Sequence, residues 1–158
     1  MIGRLIRRIL AIAVLASIAS GIAALIAKQR LVSIGEPEDD EVALVAIFGP
    51  LAFSSTAAAF RGGSLIAWYG GGEIDLRGAT LDPAGARLTV KAVFGGVQLV
   101  VPDDWQVEFQ LIGVMGGAGD VRGARGRADT APRLVIDGFA VFGGVGVTSS
   151  TTRLEIED

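Results

Sequence analysis

The chain has 158 residues, a formal net charge of −3 and a hydrophobic fraction of 51%, enough for one domain and an apolar attachment segment. It contains no cysteine, which excludes disulfides and thiolate chemistry. It contains no histidine, which removes the usual general base and the commonest metal ligand. The net charge is negative, whereas nucleic-acid binding normally needs a basic face. We therefore expect no enzyme, metal site, cofactor, small-molecule substrate or nucleic-acid partner. The alternative that composition leaves open is a carboxylate-dependent enzyme acting on polysaccharides.

The chain begins with a basic tail, residues 1–8, followed by nineteen uncharged residues from Ile9 to Ala27. A helix of nineteen residues spans roughly 28 Å, close to the ~30 Å hydrocarbon core of a bilayer. This pattern predicts a transmembrane helix over residues 9–27. The alternative is a cleavable signal peptide, because Ser17–Ala19 offers a small-x-small site. The apolar run continues eight residues beyond Ala19, which favours an uncleaved anchor.

Charges on either side of this helix predict its orientation. Three arginines precede it, and Lys28 and Arg30 follow it, so the N-terminus is expected in the cytoplasm and the main domain outside. The predicted localisation is the cell membrane, with a single pass. Residues 28–41 are interpreted as an acidic linker, a solvated spacer that keeps the next domain off an anionic surface. The alternative is that its acidic cluster attracts divalent cations.

Small residues on the helix are spaced by three and four, which predicts a face for close packing, although such residues are also common in membrane helices generally. They are Ala16, Ser17, Ser20, Gly21 and Ala24.

Residues 42–158 are interpreted as one β-domain, in which short runs of strand formers are separated by glycine. A bulky residue followed by glycine recurs at intervals of 21, 25, 21 and 27 residues. The corner glycines are Gly49, Gly70, Gly95, Gly116 and Gly143, and the bulky residues before them are Phe48, Tyr69, Phe94, Met115 and Phe142. An all-β repeat of roughly 20 to 30 residues is typical of a stacked β-solenoid. The alternative is a glycine-rich β-sandwich with evenly spaced hairpins.

Two structural roles follow from this repeat. Glycine is expected at each corner either because the turn needs a positive φ or because a Cβ would collide with the next layer. The bulky residues are expected to stack as an internal ladder. Strand alternation is clearest at Trp105, Val107, Phe109 and Leu111, which predicts that these four side chains face the core.

The longest polar break runs from Gly117 to Arg133. It predicts an exposed loop that interacts with an acidic polymer, lipid headgroups or a partner, and the alternative is a loop that its charges merely keep soluble. The candidate interaction residues are Arg122, Arg125, Arg127 and Arg133. The polar tail after Thr148 is expected to add a closing strand.

The stretch from Ala92 to Val107, AVFGGVQLVVPDDWQV, resembles the C-terminal domain of LiaF-like, cell-wall-active antibiotic response proteins. The segments Gly72–Leu76 and Val141–Val145 and the nearby Ala79 are similar to that domain as well. The resemblance extends over most of residues 60–147. It implies a bacterial membrane protein whose β-rich domain takes part in sensing envelope stress, often by restraining a sensor kinase.

Together these features predict a membrane-anchored, non-enzymatic β-solenoid of the bacterial envelope that serves as a protein-interaction module in the envelope stress response. Its expected partners are the membrane and either an envelope sensor protein or a second copy of the chain. The alternative function is a self-associating scaffold or an adhesin-like domain at the membrane.

Overall fold

A computed structural model describes residues 2–122 and 130–149. The chain opens with helix α1 (Ile2–Arg30), which extends the predicted span at both ends and includes the basic tail. Alanine, leucine and isoleucine dominate it and no proline interrupts it, so the backbone stays helical throughout. Within the described residues it is the one helix long and apolar enough to cross a membrane.

Ten strands follow, most of them rich in valine, isoleucine, leucine and aromatic residues. Their bounds are β1 (Glu41–Ile47), β2 (Pro50–Ser54), β3 (Gly62–Trp68), β4 (Gly71–Asp75), β5 (Ala86–Val93), β6 (Gly96–Val100), β7 (Gln106–Val114), β8 (Gly117–Asp120), β9 (Arg133–Val141) and β10 (Gly144–Thr148). The strands form two five-stranded sheets. The first sheet has the order β1-β3-β5-β9-β7 and the second has the order β2-β4-β6-β10-β8.

Every pairing between these strands is parallel. Two strands joined by a glycine corner form one layer, which gives one strand to each sheet. The prediction of a mainly β domain after one apolar helix is confirmed, and the parallel sheets fit the expected stacked arrangement.

The layers do not stack in the order of the chain. The last layer, β9–β10, lies between β5–β6 and β7–β8, because β9 pairs with both β5 and β7 while β10 pairs with both β6 and β8. The fourth layer, β7–β8, therefore forms one end of the stack. Nothing in the repeat spacing predicted this exchange.

The core lies between the two sheets. In the first sheet Leu44 pairs in register with Leu65 and Leu65 with Val90, and all three are buried. The prediction that Trp105, Val107, Phe109 and Leu111 face the core is confirmed, since Trp105 is buried and the other three pack against the core cluster.

The corner glycines are required by the closeness of the layers and not by their backbone conformation. The positive φ angle, 51–52°, belongs to the bulky residue before each glycine. A Cβ on Gly95, Gly143 or Gly116 would overlap the carbonyl oxygen of the corner glycine in the adjacent layer, whereas Gly49, in the first layer, has nothing within 4 Å. Of the two predicted reasons for glycine, the collision with the next layer is therefore the correct one.

The predicted linker is partly built into the first layer. Ile34 and Ala43 exchange backbone hydrogen bonds of 2.7 Å as an antiparallel bridge on β1. The Val45 amide donates to the Ser33 hydroxyl at 2.9 Å, and the Thr56 amide donates to the Pro37 carbonyl at 2.6 Å. Strand β1 lies at the end of the stack opposite β7, and this segment covers part of its outer edge.

Candidate functional site

Four aromatic rings stack along the glycine corners. Neighbouring ring centroids are 5.3 Å apart for Phe48 and Tyr69, 5.0 Å for Tyr69 and Phe94, and 4.9 Å for Phe94 and Phe142, with interplanar angles of 2–7°. The order follows the layers and not the chain, so Met115 of the fourth layer continues the row beyond Phe142. We call these five residues the corner ladder.

The corner ladder is on the outside of the domain. Phe48, Phe94 and Phe142 are 38–46% exposed and Met115 is 74% exposed, so the prediction of an internal ladder is wrong. The physical reason is the left-handed backbone at these residues, which breaks the alternation of the strand and directs the side chain away from the core.

The left-handed conformation is unusual for bulky side chains and costs free energy. All five ladder positions nevertheless carry a bulky residue at φ 51–52°. Glycine or asparagine would adopt this conformation with less strain. The repeated use of aromatic residues at a strained, exposed position indicates that their side chains serve a surface role.

The outer face of the first sheet is apolar beside the corner ladder. The register aligns Ile47, Trp68, Val93, Val141 and Val114 in one row across the five strands. The next row contains Ile66, Phe139 and Ile112 around a single charge at Lys91, and Ile112 is 70% exposed. The ladder and these two rows form one continuous apolar edge.

The same face becomes polar towards the beginning of its strands. Arg87 forms an ion pair with Asp137, and the Thr89 hydroxyl followed by Arg87 lowers the pKa of that carboxyl. Arg133 pairs with Glu108 at 2.6 Å. The outer face is thus divided along the strands into a charged half and an apolar half.

Helix α1 contacts the domain at the apolar half. The Trp68 indole Nε1 donates to the Ser20 hydroxyl at 3.3 Å, and Ala24 is fully buried. Gly21 and Ala27 are half-buried, whereas residues 2–19 of the helix are exposed. The predicted small-residue face is therefore used at Ser20, Gly21 and Ala24 against the β-domain, while Ala16 and Ser17 are outside the contact.

The predicted arginine loop does not form one exposed site. The Arg122 side chain is 0% exposed, and its guanidinium makes a bidentate ion pair with Asp120 and donates to the carbonyls of Pro102 and Trp105. Its exposure was wrongly predicted, because sequence could not show that it reaches back to the connection between β6 and β7.

The other predicted loop residues are placed differently. Arg133 is the first residue of β9 and is about half-exposed in its ion pair with Glu108. Arg125 and Arg127, like the tail after Ser149, lie outside the described residues.

The fourth layer is incompletely covered by the residues that the structure describes. Val107, Phe109 and Leu111 of β7 face the core but remain half-buried, whereas Leu134 and Ile136, at the matching positions of β9, are fully buried. Among the described strands β7 pairs only with β9 and β8 only with β10. In the described residues no further strand pairs with the outer edge of β7 or β8, and this end, which we call the open end, carries half-buried apolar side chains.

No group of three or more metal-ligating side chains occurs in the part of the chain that the structure describes. A scan against protein-family models, a search of curated proteins and a search of solved structures each found no match.

Proposed function

We propose that this chain is a single-pass membrane protein of the bacterial envelope whose β-domain, a β-solenoid, is a non-enzymatic protein-interaction module. The apolar helix supports the anchor, and the stack of parallel layers with one glycine corner each supports the solenoid. The role in the envelope stress response comes from the resemblance to LiaF-like domains.

The observation that carries the interaction role is the open end of the stack at β7–β8. An unpaired parallel edge strand presents backbone donors and acceptors, and adding a partner strand there is a recurring mode of protein recognition. The half-buried Val107, Phe109 and Leu111 add apolar surface that a partner would cover.

The two ends of the stack differ, which favours a partner at one end. At the first layer the segment of Ser33 and Ile34 bonds to β1, and β2 begins with Pro50, which has no amide hydrogen to donate. At the fourth layer no comparable cover is found in the described residues.

Site-specific photocrosslinking in intact cells of the organism that produces this chain tests this role. A benzoylphenylalanine in place of Phe109 reports on the open end, and the same substitution at Phe53, half-buried in the first layer, is the matched control. We expect discrete crosslinked partners from Phe109 and few from Phe53. If neither position yields a discrete product, the interaction role is wrong.

The second candidate function is a self-associating scaffold. It is favoured by the half-buried inward side chains at both ends, Leu51 and Phe53 in the first layer and Phe109 in the fourth. Head-to-tail stacking of copies would crosslink this chain to itself from both positions. That result would replace the partner-binding function with the scaffold.

A further inference from the structure

The apolar edge and the anchor helix lie at the same end of the strands. After Arg30 the chain runs past Val45 and then Ala43, so the helix leaves the domain beside the corner end of β1. The helix then touches Trp68, the residue before Tyr69 in the ladder. Residues 2–19, which precede this contact, are exposed.

The contact fixes how close the corner ladder comes to the bilayer. Ser20 lies eight residues before Lys28, the first charge after the apolar run, which is about 12 Å along a helix. The interfacial zone on each side of the hydrocarbon core is roughly 7 Å thick. When Lys28 lies at the outer edge of the headgroups, Ser20 and the Trp68 indole bonded to it lie about 5 Å inside the hydrocarbon boundary. The ladder beside Trp68 is then brought against the interface and the outer part of the acyl chains.

The chemistry of the edge suits that position. Tryptophan and tyrosine are enriched at the membrane interface, and phenylalanine is common on the buried face of elements that lie in it. The corner segments themselves carry no charged residue: 48–50, 69–71, 94–96, 115–117 and 142–144. Lys91 lies three residues before Phe94 and the acidic Glu73 lies two residues after Gly71, while the basic Lys28 and Arg30 at the end of α1 suit anionic headgroups.

Acidic groups concentrate at the opposite edge of the domain. They include the segment 36–41 and the residues Asp82, Asp103 and Asp104, which lie before the strands of the first sheet or after those of the second. Glu41 and Ile47 are six residues apart on β1, or roughly 20 Å. Arg61, Arg77 and Arg122 lie at the same edge in ion pairs with acidic residues. The domain is thus polarised, with its charged edge far from the anchor.

The ring geometry argues against a sugar platform at this edge. Sugars bind to open ring faces, but the interplanar angles of 2–7° show that the ladder rings cover one another's faces. What remains exposed is mainly ring edges and the Met115 side chain. Transfer of such a surface into a lipid interface is more favourable than contact with a sugar, because that transfer removes apolar area from water.

We propose that the corner ladder and the adjoining apolar rows rest in the interface of the bilayer leaflet from which α1 emerges, so that the β-domain lies on the membrane. This inference rests on the proposed membrane anchor. It adds a second, non-spanning contact with lipid, made by the side chains of the corner ladder together with Ile112, Val114 and Phe139.

Spin-label accessibility tests the inference, and the absence of native cysteine makes each label unique. The full chain is reconstituted in vesicles of phosphatidylethanolamine and phosphatidylglycerol. Single labels are placed through Met115→Cys and Phe94→Cys in the ladder, through Ala84→Cys at the opposite edge, and through Ile18→Cys in the helix. Met115 contributes no ring, so Met115→Cys leaves the aromatic stack intact.

The readout is the ratio of collision rates with oxygen, which concentrates in lipid, and with a water-soluble nickel chelate. We expect a ratio at positions 94 and 115 several-fold above that at position 84, and the highest ratio at position 18. If position 18 lies in lipid but the oxygen-to-nickel ratios at positions 94 and 115 equal the ratio at position 84, this inference is wrong and the anchor stands. A water-exposed position 18 overturns the anchor and this inference together.

Discussion

Replacing corner glycines by alanine tests how tightly the layers are held. A Cβ on Gly70 would lie 2.6 Å from the Gly49 carbonyl oxygen, so that oxygen has to move by about 0.8 Å to reach an ordinary contact near 3.4 Å. The same oxygen accepts a hydrogen bond from the Gly71 amide at 3.4 Å, which the movement would break. The atoms nearest to this Cβ belong to the backbone of Gly49 and Ala46, so no flexible side chain can absorb the strain.

Overpacking of this kind costs about 1–3 kcal/mol, and the lost hydrogen bond adds about 1 kcal/mol. For Gly70→Ala we expect a loss of about 3 kcal/mol, or roughly 6–12 °C in the melting temperature of a chain of this size. Gly95→Ala should cost more because the overlap there is greater. Gly49→Ala is the matched control, since its Cβ meets nothing within 4 Å.

Thermal unfolding of the full chain in detergent, followed by circular dichroism, measures this series. The expected order of destabilisation is Gly95→Ala, then Gly70→Ala, then Gly49→Ala, with the last near the parent value. Equal melting temperatures for Gly49→Ala and Gly95→Ala would refute the conclusion that layer contact dictates the glycines.

Two further predictions concern the two Asp-x-Arg pairs. Arg122→Ala should destabilise the domain by about 3 kcal/mol in urea unfolding, because it removes a covered ion pair with Asp120 and the donor to two backbone carbonyls. Arg77→Ala, which breaks the same local pair where the arginine is 43% exposed, should cost much less, and equal losses would contradict the burial argument. The Arg77 guanidinium lowers the pKa of Asp75 below its ordinary value near 3.8, so this pair contributes stability above that pH and loses it as the pH falls through the lowered pKa. Carboxyl titration by NMR should show a higher Asp75 pKa in Arg77→Gln, and an unchanged pKa would exclude Arg77 as its cause.

The repeat and the alternation of the strands could be predicted because both are periodic along the chain. The bulky residue with glycine marks each corner, and the polar residues between Trp105 and Leu111 mark which face of β7 is outside. The outward direction of the ladder side chains could not be predicted. A positive φ is unusual for residues such as Phe48 or Tyr69, and the following glycine was the residue expected to adopt it.

The order of the layers depends on contacts between residues distant in sequence. Phe53, Ile74, Leu99, Val147 and Asp120 form one column of the second sheet, through successive register pairs. Four members of this column are apolar and the last is a carboxylate. A carboxylate there cannot be covered on both sides without a large desolvation cost, which favours the end of the stack for β8.

The two arginine motifs show why local sequence was insufficient. Asp75-Leu76-Arg77 and Asp120-Val121-Arg122 are alike, yet β8 is one residue shorter than β4. Asp75 consequently falls beside Val100 in the register, while Asp120 falls beside Val147 in the inward column. A shift of one residue exchanges the faces of a strand, which leaves Arg77 partly exposed and covers Arg122.

The two proposed surfaces constrain each other. The corner ladder runs along the stack, from Phe48 in the first layer to Met115 in the fourth, so a ladder resting on lipid sets the stack axis parallel to the membrane. Four strand spacings separate β1 from β7, or about 19 Å. The open end at β7–β8 then faces sideways along the leaflet, at about that distance from the anchor. A partner that pairs with this end has to approach within the membrane plane, which favours another membrane-bound protein over a ligand that arrives from solution.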